Sequence, residues 1–162
     1  MTISIRVLCC GNLLLGDEGV GIHIYNELKG KPLPEKVKIV DAGTGGLDIL
    51  PFLDGVDKVI LVDAVRGSRA GTIHHLREAD LEDADLSVNS LHDIKLEHVL
   101  KIGQRLLEDR YPEVVILDVE VERIEEFDME LTPEVREAVP KVIKLVLEEI
   151  EASIHNGGEK KR

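Results

Sequence analysis

Asp17 and Glu18 stand side by side in a glycine-rich turn, C-G-N-L-L-L-G-D-E-G-V-G, running from Cys10 to Gly21. An apolar, β-branched run from Ile3 leads into it, and Val20, Ile24 and Leu28 leave it at helix spacing. The stretch therefore reads as strand, turn and helix start, which is where open α/β sheets bind ligands. A nucleotide loop is excluded. Gly11 and Gly16 have the glycine spacing of a phosphate loop, but Asp17 and Glu18 replace its Lys and Ser/Thr, and two carboxylates repel phosphate. The dinucleotide fingerprint also fails, because Ile24 takes the third glycine position after Gly19 and Gly21. What remains is a turn suited to a cation, or two acids facing the positive end of a helix dipole.

Other candidates lie at the ends of apolar runs. Lys36–Asp41 is a short strand closing on Asp41 and a second glycine turn, A-G-T-G-G, that contains Thr44. Asp57–Ala64 is the most apolar strand, buried on both faces and hence central, and it ends on Asp63. Ser90 and Asp93 resemble a capping box, so a helix begins at about Leu91 and places His92 in its first turn. Glu18, Asp63 and His92 make a carboxylate, carboxylate, imidazole set for a borderline divalent ion such as zinc, nickel or iron, with positions left open for water or substrate. The zincin pattern is absent, since Leu96 follows His92 four residues on. There is no G-x-S-x-G elbow and no cysteine beside a plausible base. Bond cleavage would then use a metal-polarised carbonyl or a metal-bound water, and no general base stands out.

These side chains need elements to hold them. Gly71–Leu76 reads as a short fourth strand whose His74 and His75 face opposite ways, so at most one serves a site. Val114–Val119 is a fifth strand, and Thr132-Pro133 starts a long helix with an apolar stripe from Val135 to Ile154, which Pro140 should kink or leave irregular in its first turn. Strands alternating with helices imply a three-layer α/β/α sandwich in which Glu18, Asp41 and Asp63 share one rim. The 162 residues suit a single domain, residues 1–154, with a flexible tail over 155–162. Aromatics are only 2%, so the core is aliphatic. A net charge of −12 argues against nucleic acid and anionic membranes as partners. Two adjacent cysteines, Cys9 and Cys10, point to opposite faces as small buried residues. With no signal peptide and no long apolar run, the chain reads as cytoplasmic.

The ordered motifs resemble the hydrogenase maturation endopeptidases. They are G-N-x-L-x-G-D-E-G-x-G (Gly11–Gly21), D-A-G-T-G-G (Asp41–Gly46), V-D-A (Val62–Ala64), S-x-H-D (Ser90–Asp93) and L-T-P-E-V (Leu131–Val135), and the likeness spans roughly Arg6–Ile150. The resemblance implies a phosphorylase/hydrolase-like fold with a five-stranded mixed, twisted sheet, its antiparallel strand around Thr72–Leu76. It implies an endopeptidase that removes the C-terminal extension of a nickel–iron hydrogenase large-subunit precursor once nickel is installed. The precursor is then the partner, and the nickel arrives with it. The family's nickel ligands carry over to Glu18, Asp63 and His92, with Asp41 and Thr44 as candidates for substrate contact. One departure stands out: the Gly and Pro that many members carry after the fifth strand are replaced by Asp118-Val119-Glu120-Val121. The competing class is a non-catalytic metal-sensing or metallochaperone module with the same ligands.

Overall fold

The run Lys58–Arg66 is apolar on both sides, so it can lie only where helices cover both faces of a sheet. In the computed structural model, which describes residues 3–83, 96–122 and 127–159, this run is β3, the middle strand of five. The others are β1 (Ile5–Cys9), β2 (Val37–Asp41), β4 (Ile73–Arg77) and β5 (Glu113–Val121), in spatial order β2-β1-β3-β5-β4. β2, β1, β3 and β5 run parallel, while β4 pairs antiparallel with β5 at the edge. The sheet is therefore mixed, as the family resemblance implies, with the histidine-bearing strand as its antiparallel member.

Side-chain alternation divides the core in two. Ile5, Val7, Cys9, Ile60, Val62 and Leu117 face α1 (Val20–Leu28) and α5 (Pro133–Glu159). Leu8, Cys10, Val59, Leu61 and Ile116 face α2 (Leu50–Leu53) and α4 (Leu96–Leu107). A short α3 (Asp80–Asp83) follows β4. Each fully buried Ile, Leu or Val contributes roughly 1.5–3 kcal/mol, which lets an aliphatic core serve where aromatics are scarce. Cys9 and Cys10 are free thiols in different halves of that core, as their adjacency on a strand requires.

α5 runs through Pro140 without interruption and on to Glu159, so the segment expected as a tail is helical as far as that residue. Pro140 is on the exposed side, where water can satisfy the carbonyl it leaves unpaired. At the amino ends of the parallel strands, buried Lys58 donates to Glu149 Oε1 at 2.6 Å and to Ser153 Oγ at 2.7 Å. That buried charge is fully partnered, as stability demands. Among the described residues, no helix is long and apolar enough to cross a membrane.

Candidate metal-reading site

The carboxyl ends of β1, β2, β3 and β5 form one rim, and the glycine turn after β1 folds over it. Cys10 N–H donates to the Val62 carbonyl at 2.8 Å, and Gly11 N–H to the Gly43 carbonyl at 2.8 Å. Gly16 adopts φ 54°, a left-handed conformation that glycine takes without strain. The chain then makes a 3₁₀ turn, Gly16–Gly19, before α1 begins at Val20. Gly21 packs so closely that a Cβ there would run into the Cys10 carbonyl, so α1 can leave the rim on this path only with glycine.

The two acids of the turn part company. Asp17 Oδ1 accepts the Thr132 N–H at 2.7 Å, and Oδ2 accepts the Thr132 hydroxyl at 2.8 Å. Asp17 thereby pins the turn to the start of α5, and both its oxygens are engaged. Glu18 is only 4% exposed, and its carboxylate makes no hydrogen bond among the described residues. Burial raises its pKa, against the opposing pull of the Arg66 guanidinium. A carboxylate largely covered by protein and without a donor among the described residues is available to a cation.

Asp63 lies on β3 in the alternation of Val59 and Leu61, so it faces the α2/α4 side. Its Oδ1 accepts the Ala64 N–H at 2.8 Å. Burial first, then the neighbouring Asp118, pushes its carboxyl well above the usual range; the Ala64 N–H opposes this, and Glu18 adds to the rise. Glu18 and Asp63 thus sit in each other's field at the rim. His92 lies outside the described residues, as do Ser90 and Asp93 of the expected capping box. The described part of α4, Leu96–Leu107, packs on the Asp63 face.

Asp41 shares the rim but belongs to the opposite face: it pairs in register with Cys9, and its Oδ1 accepts the Gly43 N–H at 2.9 Å. Thr44 is exposed in the same turn. Neither joins Glu18 and Asp63.

Sequence reasoning did not single out Asp118 as a site residue. It stands directly beside Asp63 in the β3–β5 register and directly across from His74 in the β5–β4 register. It is 6% exposed, and its Oδ1 has no hydrogen-bond partner. Burial lifts its pKa to about 7, with His74 opposing. His74 itself is engaged elsewhere, its Nε2 lying 2.7 Å from Glu120 Oε1. The signal was there to find: V-V-I-L-D at Val114–Asp118 repeats the pattern of V-I-L-V-D at Val59–Asp63, an apolar strand closed by an acid.

Chemically, the rim offers anionic oxygen and no nucleophile of its own. Burial pushes the Cys9 thiol up to about 12 and the Cys10 thiol higher still, with Asp41 adding to the first and Asp63 to the second. Both are protonated and inert near neutrality. Among the described residues, no group of three or more His, Cys, Asp or Glu is arranged to hold a metal ion.

Comparison with known proteins places the chain and its fold. The family model for hydrogenase maturation proteases matches residues 22–149. The Escherichia coli hydrogenase 2 maturation protease is 30% identical over 159 residues, covering 96% of this chain and 93% of that protein. The coenzyme F420 hydrogenase subunit delta of Methanothermobacter thermautotrophicus is 31% identical over 160 residues, covering 93% and 96% respectively. The solved structure of the hydrogenase maturating endopeptidase HybD from E. coli superposes with a TM-score of 0.80 at 29% identity, covering 93% of this chain and 94% of that one. The fold and the enzyme class follow: an α/β peptide hydrolase. The chain belongs to the hydrogenase maturation protease family.

Proposed function

We propose that this protease removes the C-terminal extension of a nickel–iron hydrogenase large-subunit precursor after nickel insertion, and that Glu18, Asp63 and His92 read the nickel. The observation that carries the proposal is the Glu18–Asp63 pair. Both carboxylates are buried, each is raised in pKa, and Glu18 has no donor among the described residues. Such a pair is costly alone and is relieved by a divalent cation. The cation is substrate, delivered in the precursor's own cysteine-bound centre. Protein and precursor ligands together complete a coordination shell that neither completes alone, so docking depends on nickel being present.

In the docked complex Glu18, Asp63 and His92 would hold the precursor's metal, which would supply polarisation of the scissile carbonyl or of a water. The water oxygen would add to the carbonyl carbon, the C–N bond would break, and the proton the water gives up would pass to the leaving amine. Asp41 and Thr44 contact the substrate from the neighbouring turn. The precursor also meets an apolar patch beside the Glu18 turn: Phe127 is 85% exposed, Leu14 51% and Met129 52%. A bridge between Leu15 and Asp128 holds the two segments together. A patch of this kind marks an interaction surface.

The test is cleavage of the precursor with and without nickel, by the wild type and by His92→Ala. Nickel-dependent loss of the C-terminal extension, abolished by the substitution, is expected. Cleavage that ignores nickel would refute the reading of the three ligands.

A further inference from the structure

β3 carries a second charged group beyond Asp63. Arg66 is the last residue of the strand and pairs in register with Val121 at the carboxyl rim. Alternation sets it with Val62 and Ala64 on the α1/α5 face, while Asp63 faces the other way. The turn that leads into α1 brings Glu18 between them, in the field of both. The Arg66 side chain is exposed and makes no hydrogen bond or salt bridge among the described residues. Arg6, Arg77, Arg110 and Arg136 all engage theirs with protein oxygens. The backbone that carries Arg66 is nonetheless fixed. Gly67 N–H donates to the Val121 carbonyl at 3.2 Å, Arg69 N–H to Glu120 Oε2 at 2.9 Å, and Gly71 N–H to the Glu120 carbonyl at 2.9 Å. A Cβ on Gly67 would run into the Glu120 carboxylate, whose other oxygen is held by His74. The connection from β3 to β4 is thus tied to β5 along its length, and Arg66 presents unused donors from a rigid strand end.

Peptide hydrolysis needs such donors. As the water oxygen adds to the carbonyl carbon, the C=O π pair moves onto the carbonyl oxygen, and that negative charge must be met. The carboxylates of Glu18 and Asp63 repel it. An arginine stays charged throughout, and its planar fork of N–H groups suits an anionic oxygen. We propose that Arg66 is a catalytic residue of this protease: its guanidinium donates to the oxygen of the scissile carbonyl as that oxygen becomes an oxyanion. The role rests on the cleavage reaction proposed above and deepens it, by setting the scissile bond on the α1/α5 side of Glu18. When the C=O bond re-forms, the C–N bond breaks and the leaving nitrogen takes the proton that the water gave up. Arg66 gives up no proton itself. It stabilises charge present only between addition and cleavage, so it acts on kcat rather than on binding.

The experiment is steady-state cleavage of the nickel-loaded precursor by wild type, Arg66→Ala, Arg66→Lys and, as control, Lys141→Ala on the exposed side of α5. Circular dichroism of each variant checks its fold. Expected in Arg66→Ala is a kcat about 100-fold below wild type with KM little changed. Millimolar guanidinium chloride, but not sodium chloride, should restore part of that loss, which a merely structural role would not allow. Arg66→Lys keeps the charge without the fork and should fall about tenfold in kcat, while Lys141→Ala should match wild type. A raised KM with kcat unchanged would make Arg66 a docking contact and overturn the proposal. Undiminished kcat in Arg66→Ala, or in Arg66→Lys should the alanine variant not fold, would overturn it as well. Each of these results leaves nickel-dependent cleavage standing. Wild-type cleavage that ignores nickel would instead sink the metal reading, and the loss of kcat in the Arg66 variants would still support the oxyanion role.

Discussion

Replacing Asp118 by Asn should stabilise the protein, and by an amount that depends on pH. Burial raises the Asp118 pKa from an ordinary 3.8 to about 7. Below pH 4 the carboxyl is neutral in both folded and unfolded chains, and the raised pKa costs nothing. Between pH 4 and pH 7 the unfolded chain ionises while the folded one stays protonated, so stability falls as pH rises; above pH 7 the loss is complete. At about 1.4 kcal/mol per pKa unit, the loss is roughly 2 kcal/mol at pH 5 and roughly 4 kcal/mol at pH 8. Asn does not titrate, so the variant escapes both. Any cost of exchanging carboxylic acid for amide is the same at the two pH values and cancels in the difference. Asp63 adds in the same direction, because removing the Asp118 charge eliminates one cause of its own raised pKa. Urea unfolding of wild type and Asp118→Asn at pH 5 and pH 8 measures the effect. The variant's advantage should be larger at pH 8 by about 2–3 kcal/mol. An equal advantage at both pH values, or a variant less stable than wild type at pH 8, would refute the claim that Asp118 is an unpaired buried carboxylate.

The adjacent acids of the first turn should separate cleanly. Asp17→Ala loses both bonds to Thr132 and should cost about 2 kcal/mol or more of stability in urea unfolding. Glu18→Gln should unfold no more easily than wild type, yet lose nickel-dependent cleavage. Phe127→Ala should raise KM for the precursor roughly tenfold with kcat little changed, since burying such a ring is worth at least about 1.4 kcal/mol. Neither thiol should react with a disulfide reagent at pH 8 in the folded protein, and both should react in denaturant, because burial holds both far above their ordinary pKa. Cys10→Ala should accordingly keep its cleavage activity.

What could be read from the chain alone was whatever local chemistry decides. Continuous apolar runs ending in an acid marked β3 and its Asp63, because a strand covered on both faces has little freedom in composition. That the short, histidine-bearing run before Leu76 is the antiparallel strand came from the family resemblance rather than from local chemistry, and the structure has it so. The glycine turn could be read as anti-phosphate, since two acids stand where phosphate ligands belong. What could not be read depends on register between distant segments. Nothing near Asp17 in sequence says that Thr132 will claim both its oxygens. Nothing near Asp41 says that it aligns with Cys9, and so with the face opposite Asp63. Asp118 looked like one polar residue in an apolar strand until the β3–β5 pairing set it beside Asp63. His92 lies outside the described residues, so its place rests on the resemblance and on the proposed cleavage test.

The energetics of the rim bear on why a protease of this family would leave Glu18 and Asp63 without an ion-pair partner. A site that satisfied Glu18 and Asp63 with Arg or Lys would be more stable and blind to metal. A site that gathered enough ligands to bind free nickel tightly would fill before the precursor arrived, and would then cleave without checking it. An incomplete anionic set lies between these limits: it is destabilising when empty, and relief comes from a cation that brings its remaining ligands along.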